Sequence, residues 1–129
     1  MLSIDHLVLT VSDTQKTIAF YTKILGMNLE GCIPSGEAET RIALCFGAQK
    51  INLHPISHPY KPHAEKPLCG SVDICFISNE STHSWTETST KHSVIIEKGS
   101  VQRTGTCEPI TSLYLRNSDS NLIEVANQN

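Results

Sequence analysis

The sequence of 129 residues is most constrained by a pattern of predicted elements that occurs twice. In each half, alternating and β-branched runs predict a strand, then a helix, then three further strands. A period of about half the chain favours two similar modules over a solenoid of short repeats. We predict module 1 over about 1–56, a proline-rich linker over about 57–69 and module 2 over about 70–127. The length suits a single domain, 1–129, built from both modules.

Module 1 begins with a β-branched run over 3–11 that predicts a strand. Asp13 then supplies N-cap chemistry for a helix, which Gly26 is expected to close. Ile18 and Tyr21 lie on the apolar side of that helix because they are three residues apart. Three further strands are predicted over 27–33, 40–46 and 50–55, with glycine-containing turns over 34–36 and 47–49.

Module 2 follows a stretch from His54 to Pro67 that its four prolines make stiff. It begins with a predicted strand over 71–78 and continues with a helix over about 80–91. That helix contains many Ser and Thr residues, which are weak helix formers, and Trp85 is its one large apolar residue. Three more strands are predicted over 94–97, 110–116 and 122–126.

Composition excludes several classes of function. Ten Lys and Arg against thirteen Asp and Glu give a formal charge of −3, so the basic surplus typical of nucleic-acid binding is missing. No apolar run approaches the roughly 20 residues that cross a membrane. The five cysteines are odd in number and include no C-x-x-C pair, which predicts reduced thiols and a cytoplasmic protein. Cys45 and Cys75 lie in apolar strands and are expected to pack as small hydrophobes.

Four residues able to bind a metal fall at matching places in the two modules. Aligning the first strands places His6 on Asp73, and aligning the last strands places His54 on Glu124. Each of them taken alone is also compatible with a hydrogen-bonded structural role. A carboxylate in a strand covered on both faces costs several kcal/mol unless it is paired or metal-bound. Because one cation would remove this cost for the whole set, we predict a metal site formed by the four.

Nitrogen and carboxylate ligands without thiolate suit Zn, Mn, Fe(II), Co or Ni. Two His and two carboxylates would leave coordination positions open for a substrate with two adjacent oxygens. Such a metal acts as a Lewis acid on a carbonyl or enediolate, or binds a catecholate and O₂. The spacing of the ligands leaves both chemistries open.

Several short motifs resemble the vicinal oxygen chelate superfamily, the group of glyoxalase I, bleomycin-resistance proteins and extradiol dioxygenases. The motifs that carry this resemblance are Ile4–Leu7, Ile18–Tyr21, Leu25–Met27 and Asn121–Glu124. Three others resemble the glyoxalase-domain-containing branch of the superfamily: Lys50–His54, Gly70–Phe76 and Arg103–Gly105. Together they cover nearly the whole chain.

The resemblance implies an α+β fold of two paired βαβββ modules whose curved sheets form a cleft around a divalent metal. It takes the ligands from the first and last strands of the modules, which match His6, His54, Asp73 and Glu124. For a chain this short it also implies a homodimer.

The chain departs from the family pattern at defined places. Asp73 stands where many members have His, and His54 stands where glyoxalase I commonly has Glu. Thr10 replaces an Arg that helps bacterial glyoxalase I to hold glutathione, which argues against a glutathione-adduct substrate. The usual turn before the last strand is altered to residues 117–120, Asn-Ser-Asp-Ser, which are still acceptable turn residues.

We therefore expect a metal-dependent enzyme acting on a small oxygen-rich metabolite. Glu124 is expected to alternate between metal ligand and catalytic base, and lyase or isomerase chemistry is favoured over ring-cleaving dioxygenation. Arg103 and Tyr114 are weaker candidates for binding an anionic substrate. The alternative is a non-catalytic protein that binds a drug or metabolite, as bleomycin-resistance proteins do. Neither nucleic acid nor membrane is expected as a partner.

Overall fold

The computed structural model describes residues 1–32 and 40–128. The predicted turn over 34–36 and the last residue of the predicted strand 27–33 lie outside this part of the chain. The first half contains β1 (His6–Val11), α1 (Thr14–Ala19), β2 (Asn28–Cys32), β3 (Arg41–Phe46) and β4 (Gln49–Pro55). The second half contains β5 (Asp73–Ile77), α2 (Thr82–Lys91), β6 (Ile96–Thr104), β7 (Pro109–Arg116) and β8 (Leu122–Gln128). The duplicated order of elements is thereby confirmed.

Each half forms its own four-stranded mixed sheet. The strand order is β1-β4-β3-β2 in the first and β5-β8-β7-β6 in the second. In both sheets the first strand pairs in parallel with the last strand of its half, and the remaining pairs are antiparallel. The predicted α+β fold of two βαβββ modules is confirmed.

The chain divides into two compact units, Met1–Cys69 and Gly70–Asn129. Each has a core of strand and helix side chains that are almost fully removed from solvent. The core of unit 1 includes Leu9, Val11, Tyr21, Leu44, Ile51 and Leu53. The core of unit 2 includes Leu113, Leu115, Ile123 and Val125. The alternation of apolar residues along β4, β7 and β8 is therefore what directs one face of each sheet inward.

The helix of unit 1 begins and ends as its sequence predicts. The Asp13 side chain accepts a hydrogen bond from the Lys16 N–H at 3.0 Å and caps the first turn. After Ala19 the helix widens into a π-helical turn over Phe20–Ile24, whose first two residues are buried. Gly26 has φ +70°, a left-handed conformation that glycine adopts without steric cost, and the helix is finished there.

The main difference from the sequence prediction is β6, which runs over Ile96–Thr104 where residues 94–97 were predicted. It is an edge strand, and from Lys98 to Thr104 only Val101 is apolar. Hydrophobic alternation cannot reveal a strand whose side chains mostly face water. The register with β7 is also irregular after Ile96 and after Gly99, which interrupts any strict period.

The helix of unit 2 forms over Thr82–Lys91 despite its weak helix formers. Ser81 caps it by accepting a hydrogen bond from the Ser84 N–H at 3.1 Å. Trp85 ties it to the end of β5, donating from Nε1 to Ser78 Oγ at 3.0 Å. Among the described residues, no helix is long and apolar enough to cross a membrane.

Candidate functional site

The two histidines predicted as ligands lie at opposite ends of the same strand pair in unit 1. His6 begins β1 and is opposite Lys50, whereas His54 lies near the end of β4 and is opposite Thr10. Four residues of strand separate the two positions, which corresponds to about 13 Å. Their side chains share one face of the sheet because paired residues point the same way, but the structure does not bring them side by side.

The two carboxylates predicted as ligands lie close together in unit 2. Asp73 is opposite Leu122, and Glu124 is opposite Cys75 in the parallel pair of β5 and β8. Asp73 and Glu124 thus share a face and are offset by two residues, or about 7 Å along the strands. Asp73 is exposed and Glu124 is half-buried. The free-energy cost of burying an unpaired carboxylate, which favours a bound metal, therefore applies in part to Glu124 and does not apply to Asp73.

The strand registers correct the internal alignment of the modules. His6 is opposite Lys50, and its counterpart Asp73 is opposite Leu122. Asn52 lies two residues after Lys50 in β4, and Glu124 lies two residues after Leu122 in β8. The residue that corresponds to Glu124 is therefore Asn52 and not His54. The sequence alignment of His54 with Glu124 was wrong by two residues, a shift that hydrophobic alternation cannot detect because it leaves every side chain on the same face. Asn52 could have been found only from the register of the parallel strands.

His6 is held by the residue before it. Its Nδ1 lies 2.7 Å from Asp5 Oδ2, and this hydrogen bond is the main reason that the pKa of Asp5 is lowered. Since an ionised carboxylate only accepts, Nδ1 carries the hydrogen, and in the neutral imidazole Nε2 is the nitrogen with the lone pair. Histidine ligands of metals are usually held in this way by a carboxylate or carbonyl.

The described residues contain no group of three or more His, Cys, Asp or Glu placed to hold a metal ion. The smaller groupings are His6 beside Asp5 in unit 1, and Glu124 opposite Cys75 in unit 2. Burial, followed by the charge of Glu124 and a hydrogen bond to it, raises the pKa of Cys75 to about 11. Cys75 is therefore a neutral thiol at neutral pH, which leaves the carboxylates as the charged oxygen donors of this unit.

A cavity of about 310 Å³ in unit 2 contains Glu124 in its wall. The other wall residues come from β5, from the end of β6 with the turn that follows, and from the start of β7, and they include Cys75, Ile77, Arg103 and Gly105. The cavity therefore combines a carboxylate, a guanidinium and apolar side chains.

Arg103 is positioned in that cavity by Tyr114, which is opposite Glu124 on the neighbouring strand. Arg103 Nε donates to Tyr114 Oη at 2.9 Å, and its Nη1 donates to the Gln102 carbonyl at 3.0 Å. Because these bonds fix the guanidinium plane, Nη2 is left as the group best placed to bind an anion. Both residues that the sequence suggested for substrate binding thus occur together with Glu124.

A second cavity, of about 430 Å³, lies in unit 1 at the ends of β1 and β4. The strands contribute Val8, Thr10 and His54 to its wall. The proline-rich segment contributes Pro62, His63, Ala64 and Pro67. The segment predicted as a linker therefore forms one side of a cavity.

His54 and Thr10 are the buried polar residues in the wall of this second cavity. His54 is 7% exposed, and its Nδ1 has no hydrogen-bond partner among the described residues. Its ring meets Tyr60 edge to face at 5.0 Å, and the Arg41 guanidinium lies 4.2 Å from the Tyr60 ring centroid. Burial, followed by the positive charges of Arg41 and His63, lowers the pKa of His54. The imidazole is consequently neutral at neutral pH.

Comparison with known proteins agrees with this architecture. The family model for the Glyoxalase/Bleomycin resistance protein/Dioxygenase superfamily matches residues 3–99. The chain belongs to this superfamily. The resemblance drawn from the short motifs is thereby confirmed, and the fold follows from membership.

Three relatives illustrate the range of the superfamily. Virulence protein STM3117 of Salmonella typhimurium is 42% identical over 123 residues, covering 95% of this chain and 82% of that protein. Its crystal structure has a TM-score of 0.90 and covers 100% of this chain and 98% of that one at 40% identity. Glyoxalase domain-containing protein RDO1 of Mycosarcoma maydis is 43% identical over 124 residues, covering 96% of this chain and 67% of that protein. Lactoylglutathione lyase from Agrobacterium tumefaciens shares the fold at 17% identity, with a TM-score of 0.72 and coverage of 98% and 94%.

Proposed function

We propose that this protein is a divalent-metal-dependent enzyme that moves a proton on a small oxygen-rich metabolite. The observation that carries the proposal is the grouping in unit 2: Glu124 and Asp73 share one face, and Glu124 shares a cavity with Arg103. Membership of a superfamily that includes lyases and dioxygenases supports it. Lyase or isomerase chemistry is favoured over dioxygenation because a carboxylate base and an anion-binding guanidinium lie in one cavity.

The side chains present fit a divalent cation. Asp73 and Glu124 supply two carboxylates, whose mutual repulsion a cation relieves. His6 presents Nε2 while Asp5 holds its Nδ1, the arrangement found in histidine ligands. We propose Asp73 and Glu124 as ligands within unit 2, and His6 stays a predicted ligand on the resemblance to the superfamily. His54, the fourth predicted ligand, is not matched to Glu124 by the strand registers.

A divalent ion bound by such donors supplies Lewis-acid activation of a carbonyl or enediolate oxygen. The protein's own residues supply the rest. Arg103, held by Tyr114, binds an anionic group of the substrate and fixes its orientation. On a 2-hydroxycarbonyl substrate, Glu124 takes the proton from the carbon that bears the hydroxyl and returns it to the former carbonyl carbon. The hydroxyl proton passes to the former carbonyl oxygen, so the base is regenerated and no external oxidant is needed.

Metal binding is the first test. Purified protein is analysed for bound metal, stripped with chelator, and titrated with Zn, Ni, Co, Mn and Fe(II). We expect one ion per chain, and at least tenfold weaker binding in Glu124→Gln and in His6→Ala. Glu108→Gln and His92→Ala are matched controls because both residues are exposed and neither lines a cavity or ligand group described above. Wild-type affinity in both ligand variants would contradict the proposal.

Proton transfer is the second test. A panel of 2-oxo and 2-hydroxy acids and aldehydes is incubated with the metal-loaded protein in D₂O. The proposal requires deuterium incorporation at the carbon beside the carbonyl, lost in Glu124→Gln and retained in Glu108→Gln. Consumption of O₂ would instead identify a dioxygenase, and binding without turnover by the metal-free protein would identify a sequestering protein.

A further inference from the structure

The cavity of unit 2 contains apolar side chains that the proposed function does not use. Ile77 lines this cavity of about 310 Å³, yet its side chain is 53% exposed. Ile110, at the start of β7, lies in the same wall and is buried. Because removing apolar area from water is favourable, a ligand with an apolar part gains affinity by covering Ile77.

The strand registers place the two isoleucines at one end of the cavity. Ile77 is opposite Ala126, which lies two residues after Glu124 in β8. Ile110 is opposite Gln128, two residues further along that strand. Residues two apart in a strand share a face, so both isoleucines are on the side of the sheet that carries Glu124. They are offset from it along the strands by about 7 and 13 Å, which gives the cavity an apolar end.

Arg103 belongs to the charged end of the cavity although its backbone lies beside Ile110. These two residues are opposite each other in the pair of β6 and β7. The Arg103 side chain nevertheless reaches Tyr114, four residues further along β7, and donates to its Oη at 2.9 Å. Since Tyr114 is opposite Glu124, the guanidinium is held at the level of the carboxylate. The positive charge and the base therefore lie together, and the isoleucines lie to one side of them.

We propose that the substrate is a short carboxylic acid with a 2-hydroxycarbonyl group and an apolar tail, a substrate class that rests on the proposed function. Its carboxylate binds Arg103, the carbon that bears the hydroxyl meets Glu124, and the tail extends along the strands to Ile77. An acid R–CO–CH(OH)–COO⁻, in which R is a short alkyl group, has these three parts in this order. The proton transfers described above convert it to R–CH(OH)–CO–COO⁻. Ile77 is then the residue that determines which tail the site accepts.

The tail is tested with 2-hydroxy acids that lack the carbonyl group and therefore bind without reacting. Glycolate, lactate, 2-hydroxybutanoate and 2-hydroxypentanoate are titrated into the full-length protein by calorimetry. Each added methylene covers more of the apolar end, so we expect the dissociation constant to fall about threefold to fourfold per carbon. Dissociation constants that do not fall along the series would overturn the proposal.

The contact with the tail is tested with Ile77→Ala. Its matched control is Ile95→Ala, the same change at an isoleucine of unit 2 that is 83% exposed and lines neither cavity described above. We expect Ile77→Ala to bind glycolate as the wild type does and to gain about twofold or less per carbon. Since Ile77 is already half exposed, this variant loses little packing and should fold. A wild-type series in Ile77→Ala overturns the assignment of the tail.

The position of the carboxylate is tested with Arg103→Gln. This variant should weaken all four acids by the same factor, at least tenfold, and keep the threefold to fourfold gain per carbon. Lys91→Gln is the control, because it removes a positive charge from the exposed end of α2 and should leave the series unchanged. Unchanged glycolate binding in Arg103→Gln would overturn the placement of the carboxylate.

The series is measured before and after chelator treatment, so that it can fail separately from the proposed function. Because the tail contacts no proposed metal ligand, chelation should change all four dissociation constants by one factor and leave the gain per carbon unchanged. A flat series in a protein that still exchanges deuterium would overturn the substrate class alone. Absence of deuterium exchange would overturn the proposed function and, with it, the assignment of these acids as substrates, whereas a falling series would still identify them as ligands.

Discussion

Asn121 shows how a residue of the family-like motif acts through the backbone. It is fully buried, and its Oδ1 accepts the Val72 N–H at 2.9 Å at the start of β5. Its own N–H donates to Asn117 Oδ1 at 3.0 Å, which fixes the turn before β8. Asn121 therefore sets the entry of both strands that carry Asp73 and Glu124.

Replacing Asn121 should destabilise unit 2. We expect Asn121→Ala to lower the free energy of unfolding by about 1–3 kcal/mol, because the partly buried Val72 N–H loses its acceptor. Urea denaturation followed by far-ultraviolet circular dichroism measures the change. Asn79→Ala, at an exposed position, is the control and should stay within about 0.5 kcal/mol of the wild type. Equal stability of the two variants would contradict this role.

Two glycines with similar φ angles allow the cost of a left-handed backbone conformation to be measured separately from the cost of a steric clash. Gly26 has φ +70° with open space around its Cα, whereas a Cβ at Gly70, φ +75°, would lie 2.7 Å from the Asp119 carbonyl oxygen. Gly26→Ala is expected to cost about 1–2 kcal/mol for the left-handed conformation. Gly70→Ala should cost about 1–3 kcal/mol more, because backbone atoms must move. Thermal denaturation of both variants checks the order, and equal costs would show that the turn at Asp119 yields without strain.

At the scale of single residues, the sequence showed which side chains belong together better than it showed where each one lies along its strand. It selected Asp73 and Glu124 for one predicted site, and the register places them on one face of unit 2. It named Arg103 and Tyr114 for one role, and the two are hydrogen-bonded. It misplaced His54 by two residues, since the period of a strand is two and such a shift changes no face. The contact of the His54 ring with Tyr60 depends on the fold of the proline-rich segment, which carries no periodic signal.

Edge strand β6 is joined to β7 by a forked ion pair. Arg116 Nε donates to Glu97 Oε2 at 2.7 Å, and Arg116 Nη2 donates to Glu97 Oε1 at 3.1 Å. This hydrogen bonding lowers the pKa of Glu97 from its ordinary value. Both groups are about half exposed, so the contribution to stability is small and screened by salt.

The ion pair predicts a pH-dependent difference in stability. A lowered pKa in the folded state means that the stabilisation is present above the ordinary carboxyl pKa and is lost as pH falls through the folded value. Glu97→Gln should therefore reduce the Tm by a few degrees at most at pH 7, and by nothing once the pH is low enough to protonate Glu97 in the folded protein. Calorimetry from pH 7 to 2.5 at low salt measures the difference. A difference that persists at the lowest pH would show that the charge of Glu97 is not responsible.

At the scale of elements, the sequence predicted the order and type of every strand and helix but not every boundary. The predictions agree best where one face is buried, as in β7, predicted over 110–116 and observed over Pro109–Arg116. They fail where neither face has an apolar period, as in β6. Burial therefore determines how much of this fold a sequence pattern can reveal.

The whole molecule consists of two units of about 60–70 residues, each with its own core. A domain of about 60 residues buries only about 60% of the surface of its unfolded chain and is marginally stable alone. The single domain predicted over 1–129 therefore implies that the two units unfold in one transition, although each has its own sheet and its own crossover helix.

Trp85 provides the test, because it is the one tryptophan of the chain and belongs to unit 2. Leu44 is fully buried in unit 1, and Leu44→Ala should cost about 2–5 kcal/mol through lost packing. We expect this substitution to lower the urea concentration at the midpoint of the transition that Trp85 fluorescence reports. The decrease should equal that caused by Ile123→Ala in unit 2 when the two variants lose a similar free energy of unfolding. Lys23→Ala, an exposed substitution in unit 1, should leave that midpoint unchanged. A Trp85 midpoint unaffected by Leu44→Ala would mean that unit 2 keeps its structure when unit 1 has lost its own.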